Sequence, residues 1–192
     1  MTAREQALQN TTATDPRPLI GEPLALDLLN TCWVHEGEPQ DLLTSVDGLA
    51  IWLSSAGLAD RCQADEATLR NLRAAREAIA HLVDGPADTA ALKAFNDTLA
   101  HGRLRLVLGV DGPDRALELD ETAALPSWLA AENYLTLLGE APDRIRHCAH
   151  PDCVLHFYDT SRNGTRRWCS MAICGNRAKA SRHYTRHRND PA

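Results

Sequence analysis

The sequence predicts an α+β protein: a mostly helical N-terminal domain carrying one β-hairpin, followed by a small cysteine-held module. Three observations predict it. Apolar residues recur at helical spacing through much of residues 45–140, the period of a helix with one buried face. That period falls to two over a single stretch near residue 105, the signature of a strand. Four of the six cysteines, Cys148, Cys153, Cys169 and Cys174, lie within 27 residues of one another near the C-terminal end.

The elements follow in chain order. Residues 1–17 are polar and predict a flexible arm. "PLALDLLNT" (23–31) is a short apolar run compatible with a strand or a helix start, and "EGEPQD" (36–41) reads as a loop. From Ser45 to Ala56, Val46, Leu49, Ala50 and Leu53 keep helical spacing, with Gly57 placed to end the helix. Asp65–Gly85 is the clearest helix, with Leu69, Leu72, Ile79 and Leu82 on one face, and a further helix is expected over Thr89–Ala100. In "RLRLVLGV" (103–110), Leu104, Leu106, Leu108 and Val110 alternate with other residues. "DGPD" (111–114) is a turn signal and "RALEL" (115–119) a partner strand, which makes a hairpin. "LPSWLAAENYLTLLGE" (125–140) is a helix with Pro126 at its start.

The charge divides the chain. The net charge of −6 hides ten Lys and Arg against 23 Asp and Glu over residues 1–143, and ten against three over residues 144–192. The first part therefore carries −13 and the second +7. An asymmetry of this kind predicts two parts with different partners. The expected organisation is an arm over 1–17, a helical domain over 18–143 and a cysteine module over 144–192. The polar N-terminus and the lack of any run of about 20 apolar residues predict a cytoplasmic protein with no membrane segment.

The cysteines read Cys148-x4-Cys153-x15-Cys169-x4-Cys174. Two close pairs separated by a hairpin-length spacer are the usual form of a structural zinc site, in which four thiolates complete a tetrahedron and leave no open position for catalysis. Two disulfides are the alternative, disfavoured in a reducing compartment. His147, His150 and His156 lie nearby and read as surface or supporting residues. "VLHFYD" (154–159) and "RRW" (166–168) are expected to pair across the Asn163-Gly164 turn, with a helix beginning near Ser170, interrupted at Gly175 and restarted by Asn176 as its cap through Arg188. Knuckle, hairpin and helix make a treble-clef-like module holding one zinc ion.

"CAHPDCVLHFYDTSRNGTRRWCSMAICGNRAKASRHYTRHR" (148–188) resembles the CGNR zinc finger, whose tetrapeptide stands here as Cys174-Gly175-Asn176-Arg177. "LALDLLNT" (24–31) is similar to the opening motif of ABATE, the domain that precedes this finger in that family. The resemblance implies a stress-induced transcription regulator. Read from the residues, Arg166 and Arg167 on the hairpin and Arg177, Lys179, Arg182, Arg186 and Arg188 on the last helix form a basic surface suited to double-stranded DNA. The alternative is that they pair with the acidic domain or dock an acidic protein. Asn30, Thr31 and Trp33 could line a pocket for a small-molecule effector, or cap a turn and pack locally. A single finger offers little contact area, so a homodimer is also expected. With no Gly-rich phosphate loop, His-Glu-x-x-His or nucleophile elbow, the sequence does not predict an enzyme.

Overall fold

The computed structural model describes residues 14–85 and 88–180. The run "LALDLL" is a helix, α1 (Leu24–Leu29), with Ala25, Leu26, Leu28 and Leu29 buried. Pro23 ahead of it offers no side-chain cap. Asn133 supplies one from elsewhere, its Oδ1 accepting the Ala25 N–H at 3.0 Å. The segment expected as a loop is instead a tight hairpin of β1 (Cys32–His35) and β2 (Glu38–Asp41), in register from Cys32↔Asp41 to His35↔Glu38. Glu36 and Gly37 at its tip have φ of 52° and 89°, the left-handed pair that a two-residue hairpin requires. Glutamate is uncommon there and Pro39 lies within β2. Each residue weakens the sequence signal for a strand pair, and a proline is tolerated because β2 has a free edge.

The helical body is α2 (Val46–Ser55), α3 (Glu66–Asp84), α4 (Thr89–Ala100) and α5 (Leu125–Glu140). Ser45, Asp65 and Asp88 cap the first three by accepting N–H groups of Gly48, Thr68 and Ala91, each offsetting a donor that the helix itself leaves unpaired. α3 buries Leu69, Leu72, Ala75, Ala78 and Ile79 against α4, α5 and α1. No described helix is long and apolar enough to cross a membrane.

Between α4 and α5 the period-two stretch forms the expected hairpin, β3 (Gly102–Gly109) and β4 (Gly112–Leu119). The turn is tighter than the sequence suggests: Gly109 pairs with Gly112, so only Val110 and Asp111 lie outside the ladder. The hairpin meets the body at its base, where a Cβ on Gly102 would stand 2.8 Å from the Trp128 indole. Only glycine lets the strand approach that ring.

The arm expected over 1–17 is fixed at its end. Arg17 is buried, pairing with Asp27 at 2.7 Å and with Asp15 at 2.7 Å. A guanidinium enclosed in this way holds the chain because both carboxylates satisfy it.

After α5 come β5 (Ile145–His147) and β6 (His156–Tyr158). This corrects the expected hairpin. β6 lies where predicted, but its partner is β5, so the ribbon encloses the first cysteine pair and not the spacer. The cause is the fully buried Asp159, whose two carboxylate oxygens accept the N–H groups of Ser161 and Arg166 at 2.9 Å each. Those bonds close the Ser161–Arg166 loop without a ladder. The returning segment reaches the knuckle through a bond from Ala149 N to Arg167 O, 2.8 Å. The last helix is also continuous where an interruption was expected. Met171–Gly175 form a π-helical turn that runs directly into helical residues 176–180. Asn176 is helical, not a cap, and its Nδ2 donates to Ala172 O at 3.1 Å.

A single core runs through both parts. Leu26, Leu28, Trp52, Leu72 and Ile79 from the body, Leu155 and Phe157 from the finger, and all four clustered cysteines belong to one contiguous set of buried side chains.

Candidate metal centre and its seat on the helical body

Each of the four cysteines comes from a different backbone device. Cys148 follows β5, with its N–H donating to Leu155 O at 2.9 Å. Cys153 closes the knuckle turn, donating to His150 O at 3.0 Å. Cys169 ends the return segment and Cys174 lies in the π-helical turn. A π turn adds one residue per turn and commonly marks functional sites; here it carries a ligand inward.

The geometry fits zinc. The four Sγ atoms lie within 4.8 Å of one another, and all four residues are buried. Cys153 and Cys169 Sγ are 3.8 Å apart, Cys169 and Cys174 Sγ 3.6 Å. A tetrahedron with Zn–S bonds of about 2.3 Å has S–S edges of about 3.8 Å. The Cys169 N–H points at Cys148 Sγ from 3.4 Å, the kind of outer contact that stabilises a thiolate ligand. In the protein alone, neighbouring thiols of the cluster are shifted in opposite directions. The hydrogen bond from Cys169 holds Cys153 down at about 5. That same bond, with burial, pushes Cys169 far above the usual thiol range, and burial pushes Cys174 up to about 12. A divalent cation removes the conflict by neutralising the charge as it forms. The cluster therefore forms a zinc-binding site for one structural ion. Among the described residues it is the one group of His, Cys, Asp or Glu side chains placed to hold a metal, and no histidine belongs to it.

The centre is seated on α1. Asn30 is fully enclosed. Its Nδ2 donates to His156 O at 2.9 Å, and its Oδ1 accepts the His156 N–H at 2.8 Å. The amide thus acts as a one-residue strand on β6. Thr31, equally enclosed, donates to Leu28 O and accepts from Arg76 Nη1, both at 2.7 Å. Arg76 also grips Asp41 with two bonds of 2.6 and 2.7 Å. Burial alone would raise the Asp41 carboxyl; the facing guanidinium outweighs it and holds the group below its usual range. Asp27 accepts from Arg17, Gly21 N and the Trp52 indole. Glu22 accepts the Tyr158 N–H at 2.9 Å and pairs with Arg166. Asn30 therefore joins the two parts, while Thr31 is tied to Leu28 and Arg76 within the helical body. Trp33 lines a cleft of about 210 Å³ shared with His35, Asp152, Ile173 and Arg177. A second cleft, of about 420 Å³, lies between α3 and the finger, lined by Cys32, Arg73, Arg76, Asp84, Val154 and His156 among others.

The basic residues separate in the same way. Arg166 was expected at a DNA surface, but its guanidinium donates to Trp168 O and Cys169 O, pairs with Glu22 and lies 4.3 Å from the centre of the Phe157 ring. Its donors are used within the protein. Arg167 is exposed, with its guanidinium 5.3 Å from the Trp168 ring centre, and Arg177 and Lys179 are exposed. So is Arg162, a residue not among the expected contacts. Arg182, Arg186 and Arg188 lie outside the described residues.

A four-cysteine finger of knuckle, ribbon and helix, seated on an acidic helical body, defines a zinc-finger protein with an appended N-terminal domain. Family models agree with both halves. That for the ABATE domain, described as "Putative stress-induced transcription regulator", matches residues 22–141, and that for the CGNR zinc finger matches residues 144–187. The chain belongs to the ABATE family, with the CGNR finger following the ABATE domain. No curated protein matches it.

Proposed function

We propose that the chain is a transcription regulator that binds double-stranded DNA through its zinc finger, while the helical body receives a small-molecule effector and pairs two chains. In this reading the zinc is structural, because four thiolates leave no coordination position for water or substrate, and the protein binds without catalysing. The supporting observation is the exposure of Arg167, Arg177 and Lys179 on a finger fixed by metal and body, next to the sequence run that holds Arg182, Arg186 and Arg188. Arginine forks suit phosphate and guanine edges. The cleft between α3 and the finger is the natural place for an effector to act, since both parts contribute to its walls.

The test is titration of the zinc-loaded chain against random duplex DNA at several salt concentrations. Binding should weaken with salt, with a log–log slope near −0.9 for each phosphate neutralised. The triple variant Arg177→Ala, Arg182→Ala, Arg186→Ala should flatten that slope by about 2 to 3 and keep its zinc. Equal affinity for parent and variant, or no salt dependence, would replace this reading with that of a protein-docking module.

A further inference from the structure

Toward its tip, at Leu106, Leu108 and Val110, the β3–β4 ribbon presents an apolar face that nothing in the described protein covers. Directly paired residues share a face of an antiparallel ribbon. The pairs Leu104↔Leu117, Leu106↔Arg115 and Leu108↔Pro113 therefore put four leucines, a proline and one arginine on one side. The other side carries Arg103, Arg105 and Glu118, joined by ion pairs of 2.9 and 2.6 Å. The ordinary arrangement would turn the leucines to the core. Here Leu104 is 41%, Leu106 77% and Leu108 84% exposed, and Val110 at the tip is fully exposed. An isolated two-stranded ribbon is at best marginally stable in water, and its exposed leucines would be stabilised by burial against a partner.

We propose that this face packs against the same face of a second copy of the chain, giving a two-fold dimer. Charge selects the occupant. Residues 1–143 carry −13 in all, so most of the body repels another body. The ribbon is the exception: over residues 102–119, Arg103, Arg105 and Arg115 balance Asp111, Asp114 and Glu118. Like faces of two copies meet there without net repulsion. Area sets the strength. Eight residues at about 3.4 Å, on two strands each about 4.8 Å wide, give a face of at most about 260 Å² per chain. Two such faces fall short of the roughly 1,200 Å² that a specific, stable interface buries. The dimer is therefore weak and exchanging, and is reinforced when two fingers share one duplex. That last step rests on the DNA reading above; the dimer itself does not.

Sedimentation equilibrium of the full, zinc-loaded chain without DNA, from about 2 to 200 µM, tests the proposal. Parent protein should pass from monomer to dimer across that range. Leu106→Lys with Leu108→Lys should raise the dissociation constant at least tenfold, leaving zinc content and circular dichroism unchanged. Leu106→Ser alone should give an intermediate shift, and serves as the second variant if the double one misfolds. A chain that stays monomeric at 200 µM overturns the proposal, as does a dimer that both variants leave intact. A monomeric chain whose affinity for a short duplex falls with the ribbon variants would show that the face meets DNA instead. Failure of DNA binding with the dimer intact would remove the DNA reading alone.

Discussion

The β5–β6 ribbon pairs three residues per strand and the β3–β4 ribbon eight. Counted by ladder bonds, the longer should be the sturdier. The surroundings reverse this. In the short ribbon Phe157 is fully buried, Asn30 extends the pairing, and cysteines that hold the finger flank it. In the long one the leucines face outward. Strand pairing exchanges bonds to water for bonds to the chain and yields little net free energy. Covering an apolar face yields about 1.5–3 kcal/mol for each large side chain removed from water. The two ribbons separate these contributions within one protein: pairing sets a shape, and cover decides whether that shape is held.

Removing zinc should break the comparison most severely, because it strips the short ribbon of its main support. Structural zinc contributes about 10–16 kcal/mol of apparent binding energy in isolated fingers. Phe157 and Leu155 share a core with Leu26, Leu28 and Ile79, so the loss should reach the body. Chelation should lower the melting temperature of the whole chain by more than about 10 °C, at roughly 2–4 °C per kcal/mol for this size. The same follows for Cys169→Ser. A body that melts unchanged beside an unfolded finger would mean the shared core is not shared in energy.

Asn30→Ala sharpens the comparison by removing cover while leaving the metal. It strands the buried N–H and C=O of His156, at about 1–3 kcal/mol each, for a total of about 2–6 kcal/mol. Denaturant titration should show the loss with zinc still at one ion per chain. A cost below about 1 kcal/mol would mean that water or a local shift takes over the amide's bonds.

Asp41→Asn should act least, and in a pH-dependent way. Arg76 holds the Asp41 carboxyl below its ordinary value. A depressed carboxyl contributes stability above its unfolded value of about 3.9 and loses it as pH falls through the folded value. The variant should therefore be the less stable at neutral pH, and its deficit should fade below about pH 4. Since acid also protonates the thiolate ligands, the informative quantity is the difference between parent and variant. A deficit independent of pH would assign the effect to packing.

Much of this was legible in the sequence where one residue type carries one meaning. Four paired cysteines announce a zinc site, and the helices from Val46 to Ala100 end within a residue or so of their expected bounds because Ser45, Asp65 and Asp88 cap them. What stayed hidden depends on distant partners. Asn30 reads as a turn residue until β6 arrives 126 positions later. Arg166 reads as part of a basic surface until Glu22 and Phe157 engage its guanidinium. The partner of β6 could not be deduced from local pattern, because Asp159 substitutes for a ladder in the loop expected to supply one. The alternation of Leu104, Leu106 and Leu108 predicts a face and cannot say what lies against it.

The two bonds from Asn30 to the His156 peptide have a mechanical consequence as well. They make the joint between body and finger a coupler and not a hinge, since reorientation would have to break both in a dry interior. Among the described residues −13 lies on one side of that joint and +5 on the other, so this part of the molecule is a stiff electric dipole. In the field of any polyanion such a body experiences a torque before it makes a contact. In the DNA reading proposed above, it turns finger first and reaches the duplex already aligned.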